Sequence, residues 1–198
     1  MTGRFSLFAR LRRDRRGVTI VEFAIVVPVM LMLIMGLGEL TYQGYVQSVL
    51  TGAVQKAARD SGIESATMTA IDQTVENTVR AVAGKAQFVP APTRKSYSSF
   101  SAMAPEPFTD SNGNGQYDKG ECFSDVNHNG VWDTDPANSG QGGASDVTVY
   151  TVTATFPRLF PIAQWIGWGD TATIHATTIL KNQPYKTQSL NTPTTICT

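Results

Sequence analysis

Asp110, Asn112, Asn114, Gln116, Asp118 and Glu121 fall at positions 1, 3, 5, 7, 9 and 12 of one stretch, with Gly115 at position 6. That spacing suits a hard cation. Calcium takes roughly six to eight oxygens at about 2.3–2.6 Å, and a short chain supplies them only by wrapping tightly. Side-chain oxygens come from positions 1, 3, 5 and 9, a backbone carbonyl from Gln116 at position 7, and both oxygens of a closing carboxylate from Glu121; glycine at position 6 permits the sharp turn. A second copy follows 15 residues later, Glu106–Asp118 aligning with Glu121–Asp133. It offers Asp125, Asn127, Asn129, the Val131 carbonyl and Asp133. Its twelfth position is Pro136, which has no ligating side chain, so Asp135 or a carboxylate from the preceding repeat must close it, and the first loop reads as the better site. A merely solvated Asn/Gly loop would share the composition but not the same spacing twice. Calcium is therefore the expected cofactor. Its role is structural: a ligand that binds only the folded state stabilises it by mass action.

No amphipathic helix flanks either loop; prolines and glycines surround residues 105–136. The elements that must carry them lie on both sides. Ile71, Val75, Val79, Val82 and Ala86 recur at helical spacing and predict an amphipathic helix over about Ser65–Gln87, ended by Pro90-Ala91-Pro92. Arg94–Ala102 alternates weakly, as an edge strand does. Asp146–Phe156 reads as a strand with Tyr150, Val152, Ala154 and Phe156 on one face, and Thr171–Leu180 as its partner. The connection between them, Pro157–Gly169, is bulky and apolar; it either forms a short helix over the sheet or rests on a membrane or a neighbouring subunit. The tail from 183 to 198 is polar and threonine-rich, loosely ordered unless Cys197 ties it back. Together these predict an α+β fold with a small antiparallel sheet and the cation loops as an insertion.

The N-terminal end has a different character. Residues 1–17 hold six arginines and one acid, whereas the remainder holds ten basic and fifteen acidic residues, so a net charge of zero hides a basic tip on an acidic body. No basic patch continues into the body, which excludes nucleic acid as the main partner. Val18–Leu40 is a run of 23 apolar-rich residues, about 34 Å as a helix, enough to cross a hydrocarbon core of about 30 Å. It is longer than a signal-peptide core and continues into helix-forming sequence, so it reads as a retained transmembrane helix. Arginines before it place residues 1–17 in the cytoplasm and residues 41–198 outside. From Thr41 to Asp60, Tyr42, Tyr45, Val46, Val49, Leu50, Ala53 and Ala57 form an apolar stripe, which extends the span outward as a stalk; a separate helix after a break at Gly44 is the alternative. Cys122 and Cys197 are the two cysteines, and two in an exported body suggest one disulfide. Two lone histidines, no GxSxG, no P-loop and no carboxylate pair outside the loops leave no enzyme chemistry to assign.

Pro28 interrupts the helical ladder, and Glu22 is an ionisable group in the first turns of an apolar span. Glu22 either snorkels to the headgroups or pairs with a positive group, such as a new amine at Val18 on a neighbouring subunit if the chain is cut after Gly17. The string Arg-Arg-Gly17-x-x-x-x-Glu22-Phe-Ala, with Pro28 following in the apolar run, closely resembles the N-terminus of TadE-like proteins, pseudopilin-type components of the tight-adherence (Flp) pilus assembly system. The resemblance covers about residues 13–60. It implies a pilin-like fold, other pilin-like or Tad assembly subunits as partners, and a bacterial inner-membrane location with the body periplasmic or extracellular. It also implies a prepilin peptidase cutting between Gly17 and Val18, which makes Glu22 the fifth mature residue. Cleaved members usually carry tyrosine after the glutamate where this chain has Phe23, which leaves the cut open. The loops at 110–135 resemble EF-hand and dockerin-like calcium loops. The reading is a non-enzymatic, membrane-anchored pilus-assembly protein with a calcium-stabilised exported domain. The alternative is a singly anchored, calcium-dependent binding or adhesion module, for which Tyr117, Trp132, Trp165 and Trp168 are available aromatics.

Overall fold

The structure, a computed structural model, describes residues 17–62, 67–160, 164, 167–183 and 192–197. In chain order the described elements are α1 (Val18–Ser61), α2 (Met68–Arg80), β1 (Thr93–Tyr97), β2 (Cys122–Asp125), β3 (Asn138–Ser139), β4 (Val147–Pro157), β5 (Thr171–Lys181) and β6 (Thr194–Cys197). The class is α+β, as the sequence predicts. Two compact units form. One holds α1 up to Gln43 with Arg158–Asp170; the other holds Gly44–Pro157 and the chain from Thr171 on.

α1 is a single helix of 44 residues with Pro28 inside it, so the break at Gly44 does not occur. Ser48 Oγ donates to the Gly44 carbonyl one turn back, 2.9 Å away. Its most apolar window buries none of its residues, and Ile20, Phe23, Ile25, Leu33, Ile34 and Leu37 are all exposed. A soluble core helix would hide them. This half of α1 is long and apolar enough to cross a membrane.

In the second unit, Val46, Leu50, Val54 and Ala57 of α1 are buried at helical spacing. They share the core with Val75 and Val79 of α2 and with one face of the larger sheet. That sheet has the order β3-β1-β4-β5, every neighbour antiparallel. Tyr150, Val152, Ala154 and Phe156 of β4 lie on the buried face, opposite Thr178, Ala176, Ile174 and Ala172. On the other face Thr151 pairs with Thr177 and Thr155 with Thr173 through hydroxyls 3.0 and 3.1 Å apart. The period of two in the sequence is thus a two-faced sheet with helices on one side only. Gln47 Nε2 reaches the His175 carbonyl at 2.9 Å and ties α1 to β5.

Two element boundaries need correction. α2 ends at Arg80 rather than near Gln87, because Gln87 leaves to make two 2.8 Å backbone hydrogen bonds with Thr155 on β4. β1 stops at Tyr97, and Ser101–Met103 is a single 3-10 turn. Cys197 does tie the tail back to Cys122, and Thr194–Cys197 pairs with Cys122–Asp125 as a second, two-stranded sheet. The short helix expected within Pro157–Gly169 falls largely outside the described residues.

α2 and the sheet are also joined by charge. Asp72 takes two hydrogen bonds from the Arg94 guanidinium, at 2.6 and 2.8 Å, and a third from the Tyr150 hydroxyl at 2.6 Å. The guanidinium lies 4.2 Å from the centre of the Tyr150 ring. Burial, with the Asp72 carboxylate, pushes the Tyr150 phenol well above its ordinary range, so it stays a neutral donor. Tyr150→Phe keeps the ring and the ion pair and removes one hydrogen bond. It is expected to cost about 1 kcal/mol in denaturant unfolding, with no change in the transition slope.

Candidate functional site

The two loops fold alike, residue for residue, at the 15-residue offset. Asp110 Oδ2 accepts the Gly115 N–H at 2.7 Å, and Asp125 Oδ2 the Gly130 N–H at 2.8 Å. Asn112 Oδ1 accepts the Asn114 N–H at 3.0 Å, and Asn127 Oδ1 the Asn129 N–H at 3.1 Å. Asn114 Oδ1 accepts from Gln116 N and Asn129 Oδ1 from Val131 N. Gly115 and Gly130, at position 6, have φ of +76° and +77°, a region that penalises any Cβ. In loop one both asparagine amide N–H groups converge on Asp118 Oδ2, and in loop two both converge on Asp133 Oδ2. Hydrogen bonds from Gly115 N first, then from neighbouring amides, hold the Asp110 carboxyl below the usual carboxylate range.

Of the two closures the sequence leaves open for loop two, Asp135 or a carboxylate from the preceding repeat, the geometry takes the second. Glu121 is 5% exposed; its carboxylate accepts the N–H of Ser111 at 2.8 Å and of Asp118 at 3.0 Å, positions 2 and 9 of loop one. Glu106, 1% exposed, does the same for loop two, accepting Val126 N at 2.7 Å and Asp133 N at 3.0 Å. Their main chains agree too: Glu121 N donates to Asp118 O at 3.1 Å, and Glu106 N to Asp133 O at 3.0 Å. Glu106 therefore stands where a twelfth residue of loop two would stand, although it precedes the loop in the chain. Asp135 does not close it. That carboxylate binds Lys95 Nζ and the Tyr97 hydroxyl, which hold it below the usual carboxylate range. The reason for preferring loop one, that Pro136 closes nothing, no longer applies.

The two halves meet across a local two-fold. Thr109 N donates to Cys122 O and Ser124 N to Pro107 O, each at 2.8 Å, around a Phe108–Phe123 bridge. Tyr117 and Trp132, equivalent in the repeat, stack 4.8 Å apart at 14°, with Phe108 edge-on to both. Both rings are half-buried, and Trp132 Nε1 donates to the Glu106 carbonyl. β2 runs from Cys122, just after Glu121, to Asp125, and Cys122 is disulfide-bonded to Cys197. Among the described residues, no three His, Cys, Asp or Glu side chains come together as a metal cluster. The donor set fits a hard cation nonetheless, since carboxylate, amide and carbonyl oxygens are the ligands calcium takes.

At the other end of the chain, Gly17 accepts the Val21 N–H at 3.2 Å and opens α1. Val18 is the first helical residue, Glu22 is exposed on the helix surface with no ion-pair partner among the described residues, and Pro28 lies one and a half turns on. Residues 17–59 match the family described as TadE-like protein. This segment is TadE-like. The match begins at Gly17 and coincides almost wholly with α1, so it covers the helix and leaves the loops and sheet outside. No curated protein and no solved structure matches the chain. The TadE-like helix also carries a residue that its apolar pattern does not single out. Glu39 is 2% exposed at the end of the run, and its Oε2 accepts the N–H of Leu159 at 2.9 Å and of Phe160 at 3.3 Å. A lone acid closing an apolar run was the available signal.

Proposed function

We propose that the protein is a non-enzymatic, pilin-related membrane protein of a tight-adherence pilus system, anchored by α1 with its N-terminus cytoplasmic and carrying a calcium-stabilised body outside. One observation carries this reading: the TadE-like match over residues 17–59 falls on one unbroken helix that bears Glu22 and Pro28 and whose most apolar window buries none of its residues. Such a helix is stable only among lipids or other apolar helices. Its work is packing. Glu22 is costly in an apolar layer unless paired, and an amine freed at Val18 of a neighbouring copy would supply the partner and fix the stagger between helices. Calcium would be held by Asp110, Asn112, Asn114, Asp118 and Glu121 in loop one, and by Asp125, Asn127, Asn129, Asp133 and Glu106 in loop two, with the Gln116 and Val131 carbonyls. It would replace the amide N–H groups that now meet at Asp118 and Asp133.

N-terminal sequencing of the protein from its native membrane tests the processing step: a start at Val18 is expected, and a start at Met1 removes the peptidase from the account. Cross-linking through cysteines placed on the lipid face of α1 tests assembly. Ladders of like copies support a pilin-like role; monomers throughout would favour the singly anchored binding module.

A further inference from the structure

Glu39 poses a problem that its partners resolve. A carboxylate one residue before Leu40 sits at the rim of an apolar layer, where an unsatisfied charge is expensive. Here Oε2 holds the two backbone N–H groups of Leu159 and Phe160, Oε1 accepts Gln43 Nε2 at 3.0 Å, and Arg158 Nη1 lies 3.7 Å from Oε1. Arg158 Nε donates to the Gly169 carbonyl at 2.8 Å, and its guanidinium carbon lies 5.2 Å from the centre of the Trp168 ring. Phe160 rests so closely on Gly38 that a Cβ there would lie 3.1 Å from Phe160 Cε2. Residues 158–160 are thus bonded or packed directly against residues 38 and 39, and Trp168 is held through Arg158. Whatever depth the last apolar turn of α1 takes in a membrane, these residues take with it.

Their exposed surface suits that depth. Leu159 is 54% and Trp168 47% exposed, as are Leu37 and Leu40 of the same helical turn, at 69% and 54%. A tryptophan next to an arginine, with leucines around them, presents an apolar body and a polar tip, the combination found at the headgroup boundary. We propose that Arg158–Phe160 and Trp168 form an interfacial membrane element, with Leu159 and Trp168 seated at the headgroup–acyl boundary beside the end of the span and the Glu39–Arg158 pair fixing their level. The occupant is lipid rather than a second protein, because these residues are bonded or packed against the last turn of the apolar half of α1, whose Leu37 and Leu40 are exposed as well. The proposal rests on the membrane-span reading above.

The test uses the full chain with Trp132→Phe and Trp165→Phe, which leaves Trp168 as sole emitter, in phosphatidylcholine vesicles brominated either close to the headgroup or near the chain ends. Strong quenching by the shallow bromine, weaker quenching by the deep one and several-fold less quenching by acrylamide than for free tryptophan are expected. Glu39→Ala in that background should raise acrylamide access several-fold. A parallel variant with Leu31→Trp and all three native tryptophans replaced by phenylalanine reports the span itself and should be quenched best by the deep bromine. If Leu31→Trp behaves so while Trp168 is open to acrylamide, or is shielded but quenched by neither lipid, the interfacial element is overturned and the span stands. If Leu31→Trp is quenched by neither lipid, both fall.

Discussion

Glu106→Ala is expected to destabilise the loop-bearing unit by about 2–4 kcal/mol in chelator, before any cation is considered. The carboxylate is 1% exposed and is the acceptor for Val126 N and Asp133 N. Alanine leaves both half-buried donors without a partner, and an orphaned donor costs more than a hydrogen bond gains. Glu106→Gln separates this structural part from the ionic one. It retains one acceptor oxygen but turns the other into an amide NH2 facing a backbone N–H, so about half of the alanine loss should remain in chelator. It removes the charge and the symmetric carboxylate, so loop two should lose its calcium while loop one keeps it. Calorimetric titration of the full chain in detergent should show two calcium ions bound to the parent chain and one to Glu106→Gln. Glu121→Gln should give the same single ion from the opposite loop, and the double variant none. At calcium about a hundredfold above its dissociation constant, each intact site adds about 2.7 kcal/mol of stability, visible as a rise in Tm. Two ions bound to Glu106→Gln would show that the second loop is closed by something else. No rise in Tm with calcium in the parent chain would remove the cation from the account.

The contrast between Glu106 and the strands shows what a sequence exposes. Tyr150, Val152, Ala154 and Phe156 were legible because each strand residue declares its face locally; the period of two needs no knowledge of the partner. The apolar span of α1 and the spacing of Gly17, Glu22 and Pro28 were legible for the same reason. Loop one was legible because its candidate ligands follow one another within twelve positions. Closure of loop two was legible only as two alternatives, Asp135 or a carboxylate of the preceding repeat, because Glu106 lies before the first loop and reaches the second only when the two repeats pair around the Phe108–Phe123 bridge. The repeat alignment did contain the clue: Glu106 and Glu121 are equivalent, so a two-fold exchange of closing residues was the symmetric solution. α2 ran too long in prediction because Val82 and Ala86 keep the helical period, while Gln87 is claimed by β4, a tertiary pairing that local periodicity cannot register. β2 and β6 escaped notice because four residues of mixed polarity carry no alternation worth reading. Glu39 escaped because its partners, at Leu159 and Phe160, lie 120 and 121 residues away.

β6 is also where the second large effect is expected. Replacing both Cys122 and Cys197 by serine should lower stability by about 4 kcal/mol on the chain-entropy account of a bond that closes 75 residues. Among the described residues, little holds this strand besides β2 and a 3.5 Å contact between Thr194 Oγ1 and His128 Nδ1. β6 pairs four residues with β2, three of those four are exposed, and a two-stranded ribbon of that length is marginal in water. Freed of the disulfide, residues 194–197 should detach, and hydrogen exchange at Ile196, whose N–H faces Phe123 of β2, should approach the rate of an open chain. β2 itself should persist, because its other edge is held by Thr109 and Pro107 through the Cys122 carbonyl and the Ser124 N–H, and Phe123 is buried under the Tyr117 ring. Calcium binding should therefore survive with both sites intact, since neither closing carboxylate depends on β6. A double-serine variant that keeps full stability and full protection at Ile196 would mean that the tail is fixed by contacts beyond β2. One that loses both calcium ions would mean that β2, lying between Glu121 and Asp125, needs β6 to keep the two loops in register.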